Sequence, residues 1–306
     1  MNKRLVVAAV SAVAFSPAHA TTCSCASVPL LGTMELASPA DKQWYLASTY
    51  EYHNLSELVS GSSTVPDDTA RDRTSHALIL EASRGLTEKW ALSALLTAVR
   101  HERTVSGPRD EATGLGDAIV MVKYSPTTIS LYSRNTLSFG LGARLPVGES
   151  AATNAGIVLA EDLQPSTGAY ATIVWAYAAR ALNESRSTRI YASSSYTKNE
   201  QNDRDYQFGQ ETTVSIGAAH QAQTRWGYNL ELLYRTTTRD QRNSVDIPNT
   251  GGEWLDLVPA VQYHVTDKMA LRLSAKIPLL RDLNDQLQFT TKYAARLTFS
   301  YVFGNQ

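Results

Sequence analysis

Two cysteines, Cys23 and Cys25, stand one residue apart near the start of the chain. Paired thiolates at this spacing can bind a soft cation such as Cu(I). In an oxidising compartment they can also close on each other, although one intervening residue makes a strained ring. No His or Met adjoins them, so metal, disulfide and purely structural roles all stay open, with Cys23 and Cys25 as the candidate metal ligands. His220 and His264 fall in strand-like stretches, where a Ser–His nucleophilic pair at a barrel rim would need them. No Ser in a distinctive motif stands beside either, so the chain is read as a non-enzyme without a cofactor. Glu161-Asp162, in a long polar connection, can meet a cation or simply be solvated, while Pro165 and Gly168 shape the return of that connection.

The larger group of candidates is a set of charges that share one strand parity: Lys123, Arg144, Arg225, Glu231, Arg235, Asp256, Arg272, Lys276, Lys292 and Arg296. Most are basic. If the opposite, apolar parity meets lipid, these ten line a lumen. There they either attract and screen anions or pair across a narrow interior and fill it.

The elements that position them are strands. From Phe289 to Phe303, Phe289, Tyr293, Leu297, Phe299, Tyr301 and Phe303 alternate with Thr290, Lys292, Arg296, Thr298 and Ser300. Side chains on a strand point to opposite faces in turn, so this segment is a ribbon with one apolar and one polar face. The stretches near Arg225–Arg235, Trp254–Val265 and Met269–Ile277 alternate in the same way. The pattern predicts about twelve strands over residues 42–303, with the last one continuous from Phe289. Long polar connections (His53 to about Arg73, Arg103 to Gly114, Pro146 to Gly168, Thr236 to Gly252) alternate throughout with short ones such as Gly85–Lys89 and Ser125–Thr128. An aqueous β-sandwich has no reason to sort its loops so. An antiparallel transmembrane β-barrel does, with short periplasmic turns and long extracellular loops. Closure also removes unpaired strand edges, which lipid cannot hydrate. Trp44, Trp90, Trp226, Tyr50, Tyr263, Phe299 and Tyr301 are candidates for aromatic girdles at the two interfaces.

Residues 1–20 combine Lys3 and Arg4, an apolar run and Ala18-His19-Ala20, the pattern of a cleaved signal peptide. Residues 21–41 follow as a periplasmic tail carrying the cysteines. Lys plus Arg total 28 and Asp plus Glu 29, a formal net charge of −1; this leaves no basic footprint for nucleic acid. The expected partners are outer-membrane lipid, a small-molecule solute and the barrel-assembly machinery, which would read Phe299, Tyr301 and Phe303 as a terminal signature.

Three short blocks carry a family resemblance: Gly114-Leu115-Gly116-Asp117, Gly142-Ala143-Arg144-Leu145-Pro146-Val147-Gly148 and Asp162-Leu163-Gln164-Pro165-Ser166-Thr167-Gly168. Over about Gly85 to Ala179 the chain resembles the bacterial outer-membrane family labelled "MetA-pathway of phenol degradation". The resemblance implies an outer-membrane barrel that passes small, often aromatic or apolar, compounds. It supplies no site residues. The expected function is therefore a channel or transporter for small solutes. The alternatives are a plugged structural barrel acting through its loops, and a metal-handling barrel using Cys23 and Cys25.

Overall fold

The computed structural model describes residues 41–67, 71–107, 109–126 and 134–304. Twelve antiparallel strands close into one barrel: β1 (Trp44–Asn54), β2 (Asp72–Gly85), β3 (Trp90–Thr104), β4 (Arg109–Tyr124), β5 (Asn135–Leu145), β6 (Ala171–Ala181), β7 (Thr188–Asn199), β8 (Glu211–Gln221), β9 (Trp226–Thr237), β10 (Gly252–His264), β11 (Met269–Leu283) and β12 (Tyr293–Phe303). Each strand pairs with its chain neighbours, and β1 pairs with β12 from Trp44–Phe303 to Asn54–Tyr293. No edge is left open, as a barrel in lipid requires. The signal-peptide segment 1–20 and nearly all of the tail 21–41, including Cys23 and Cys25, lie outside the described residues.

The two strand faces are physically distinct. Leu78, Leu92, Val122, Leu141, Val174, Ile216, Leu230, Leu273 and Leu297 are exposed on the outside, whereas the alternate residues are buried or half-buried within. So continuous an apolar exterior has no place in water, so the barrel lies in a membrane, with its outer residues against lipid. At the short-turn end aromatic rings pair as a girdle: Trp44 with Phe303, Trp90 with Tyr124, and Trp226 with Tyr263 at 4.9 Å between centroids. Toward the other end Tyr50 and Tyr52 cluster with His76, and Tyr52 with Tyr293. A charge on the outer face should therefore be costly and one on the inner face tolerated. Leu273→Arg is expected to lose about 2–4 kcal/mol of barrel stability, whereas Ser300→Arg, on the inward parity of β12, should fold normally. Heat-modifiable gel migration of the refolded variants measures both; equal folded fractions would contradict the assigned faces.

Three expectations are corrected. Residues 103–114 are not a long loop: β3 runs to Thr104 and β4 begins at Arg109, and the ladder is laced by Arg103–Asp110 at 2.8 Å and Arg109–Glu102 at 2.7 Å. Opposite charges across the strands hold this hairpin together beyond the membrane, so long and short connections do not alternate throughout. The connection after β4 is not a tight turn at Ser125–Thr128, because the β4–β5 ladder ends with Tyr124 opposite Phe139, a separation that a four-residue turn cannot close. The last strand is not continuous either. Gln288–Thr290 leaves the barrel wall to pair with Glu57–Ser60 above it, and β12 starts afresh at Tyr293.

The remaining loops build a cap over the long-loop end. A small sheet joins Tyr206–Gln207, Gln241–Arg242 and Val245–Asp246, linking the β7–β8 and β9–β10 connections. Burial beside Asp240, whose carboxylate accepts from Tyr206 Oη, pushes the Tyr206 phenol well above its ordinary pKa. Arg239 donates twice to Asp285, at 3.1 and 2.8 Å, and these bonds hold that carboxyl below the usual range.

Candidate functional site

The lumen has two unlike walls. Among the inward residues of β2 to β7 lies an apolar patch, in which Ala77, Ile79, Leu95, Val99, Ile119, Met121, Ile173, Trp175, Tyr177 and Tyr191 form one buried cluster, with polar residues such as Glu81, Ser93 and His101 on the same strands. Trp175 and Tyr177 alternate on the inner face of β6 and stack with centroids 5.9 Å apart. Gly140 and Gly142 face them from β5. A Cβ on Gly140 would come within 2.7 Å of Met121 Sδ and 3.1 Å of the Trp175 ring, so the missing side chain is what lets these bulky groups enter the lumen. Apolar residues on β6 therefore point both ways, Val174 to lipid and Ile173 and Trp175 inward. The rule that the apolar parity meets lipid fails for this strand.

The facing wall, from β8 through β12 to β1, is polar. Arg296 of β12 meets Glu51 of β1 through its Nε at 2.7 Å, and His53 also contacts the Glu51 carboxylate. Arg235 reaches Glu211 at 3.3 Å and lies 4.0 Å above the Trp254 ring. Lys276 lies 4.0 Å from Asp256. Across the barrel Arg144 sits 3.4 Å from Asp117 and donates to Asn199 at 2.8 Å. Buried charges of this kind persist only with partners, and the chain supplies one acid for each of these bases.

Of the ten charges expected in the lumen, Lys123, Arg144, Glu231, Arg235, Asp256, Arg272, Lys276 and Arg296 lie on inward parities. Lys123 Nζ stands 5.1 Å over the Trp175 ring. Glu231 accepts from Tyr191 Oη at 2.6 Å. The other two lie elsewhere: Arg225 is exposed in the turn before β9, where it donates to the Val265 carbonyl, and Lys292 is exposed just before β12. The acids Glu51, Asp117 and Glu211 and the aromatics Trp175, Tyr177 and Trp254 went unassigned in the sequence reading. Strand parity alone would have placed Glu51 and His53 inward on β1. His220 and His264 hydrogen-bond Thr188 and Gln221 at the short-turn end, whereas the buried Ser–His contact lies higher, between Ser75 Oγ and His101 Nδ1 at 2.8 Å.

The segment between β5 and β6, residues 146–170, turns inward and is anchored at several points. The three glycine-rich blocks meet here. In the first block, β4 is bulged opposite Thr97, turning Gly116 and Asp117 inward in succession. The Asp117 carboxylate accepts from Ser166 Oγ, from the Thr167 amide and from Thr167 Oγ1 at 2.7 Å. In the second, Gly148 passes so close to β4 that a Cβ would sit 1.7 Å from the Leu115 carbonyl oxygen, and only glycine fits. In the third, Gln164 is fully buried and spans the segment by bonding the Ala152 amide and the Leu159 carbonyl, each at 2.8 Å. Between them a short 3-10 turn, Glu161–Leu163, presents two carboxylates to arginines: Asp162 to Arg73 at 2.7 Å, and Glu161 to Arg204 and Arg242.

A closed twelve-stranded barrel with a lipid-facing apolar belt defines the class: a β-barrel protein of the bacterial outer membrane. Residues 59–280 match the family described as the MetA-pathway of phenol degradation, and the chain belongs to that family. Among solved structures it is similar to an outer-membrane channel from Pseudomonas putida F1, at 13% identity and a TM-score of 0.70, over 88% of this chain and 98% of the other. It is also similar to the β-domain of the Bordetella autotransporter BrkA, at 11% identity and a TM-score of 0.50, over 86% and 100% of the two chains. These likenesses concern the fold. No curated protein matches the chain.

Proposed function

We propose that the protein is an outer-membrane channel for small solutes, with the inward segment 146–170 setting its selectivity, and that it is not an enzyme. The observation that carries this reading is the two-sided lumen. A patch bearing Trp175, Tyr177 and Met121 faces a wall bearing Arg235, Lys276 and Arg296, all of them buried, so a solute with an apolar or aromatic body and a polar end meets a matching group on each side once these side chains part. Family membership and the fold shared with an outer-membrane channel support it. Against nonspecific passage stands the amount of side chain already inside, because the inward residues are buried against one another. Proteoliposomes carrying the purified barrel should swell in an isosmotic five-carbon sugar faster than protein-free vesicles and show no gain with a trisaccharide. Swelling equal to that of protein-free vesicles in both would contradict a channel.

A further inference from the structure

Glu161 is an acid bound as a ligand would be. Its side chain is 8% exposed, and one oxygen accepts from Arg204 Nε and from Arg242 Nη2, each at 3.1 Å. The second oxygen takes Arg204 Nη2 and, at 3.5 Å, Asn202 Nδ2. Two guanidinium groups share the one carboxylate, and Arg204 Nη1 is buried without a hydrogen-bond partner among the described residues. Arg242 is open to the outside, its side chain 54% exposed, and lies 5.4 Å from the centroid of the Tyr206 ring. An incoming carboxylate would thus meet a guanidinium fork for its charge, with Arg242 held in place over the buried Tyr206 ring.

The segment that carries Glu161 is held in two different ways. Residues 165–168 are fixed to Asp117 within the barrel, whereas the side chains of residues 161–162 are held mainly by ion pairs, to arginines on the cap and on β2, with Asn202 adding a long hydrogen bond to Glu161. We propose that Arg204 and Arg242 form a carboxylate-binding site at the outer mouth, which Glu161 occupies as an internal stand-in. A small carboxylate solute displaces Glu161 there and loosens the tie between the 3-10 turn and the cap, while Leu163 stays buried. The inference rests on the channel reading and adds the ligand class and the means of opening. A solute can open the mouth only by the difference in its affinity for the two arrangements, and here that difference is the arginine fork, which only the released state offers it.

The test uses the purified full barrel in planar bilayers, with benzoate or its uncharged isostere benzamide added to both sides at constant ionic strength. Benzoate should raise the wild-type current severalfold and benzamide should leave it unchanged. Glu161→Gln should start at the higher current and ignore benzoate, and the double variant Arg204→Gln, Arg242→Gln should not respond to it either. A wild type that treats the two compounds alike, or a Glu161→Gln current equal to wild type, overturns the stand-in while leaving the channel intact. If neither wild type nor Glu161→Gln carries current, the channel reading falls and this inference falls with it.

Discussion

Asp117→Ala is expected to free the inward segment and to lower barrel stability more than any other single change to the site. The carboxylate is nearly fully buried, accepts from Ser166 and from two groups of Thr167, and lies against Arg144, itself buried. Removing it strips the segment of its fixed point and takes from the buried Arg144 guanidinium the carboxylate 3.4 Å away. Uncompensated buried charge costs about 3–5 kcal/mol. Asp117→Asn keeps an acceptor for Thr167 but not the charge, and should fall between wild type and Ala. Limited proteolysis of the detergent-solubilised barrel should show new cleavage within 146–170 for Asp117→Ala, alongside a lower unfolding midpoint in guanidinium. An unchanged cleavage pattern and midpoint would mean that the segment is held by something other than Asp117.

Trp175→Ala should have the second-largest effect and should act on both stability and passage. The ring is buried in the lumen, stacked on Tyr177, packed toward Met121 and Gly140, and covered by Lys123. Large-to-small changes of a buried aromatic cost about 3–5 kcal/mol, because the neighbours refill the space only in part. β5 cannot refill it, since Gly140 has no side chain to move in. The space left widens the lumen, so the variant should unfold earlier and conduct more, while Trp175→Phe should restore most of both. A Trp175→Ala barrel with wild-type conductance would show that this wall does not border the route.

Much of the barrel is legible in the amino-acid sequence, and the reasons differ by strand. On β9 to β12 lipid is apolar and the lumen polar, so alternation of Leu230 with Glu231 or Leu273 with Arg272 assigns both faces at once. On β6 the lumen itself is apolar, so Val174 and Trp175 satisfy opposite sides equally and periodicity loses its meaning. The β3–β4 hairpin was hidden by its charges. Arg103, Arg109 and Asp110 look like loop residues until cross-strand pairing shows that they stabilise a strand above the membrane. The site was visible as parts rather than as an arrangement. Arg144 and Arg296 follow from parity, but their partners Asp117 and Glu51 depend on register and on closure between β1 and β12, which no local pattern encodes. The glycine-rich blocks stood out for the same physical reason that they meet: a Cβ would strike the Leu115 carbonyl at Gly148 and the Thr97 side chain at Gly116.

Single-channel recording in planar bilayers tests the central claim most directly, comparing wild type with Asp117→Ala under identical salt. The structure predicts discrete small steps for wild type and larger, noisier ones once the inward segment loses its anchor. Current at the level of protein-free bilayers for both proteins, each shown to be folded by heat-modifiable migration, would contradict the account of this barrel as a channel.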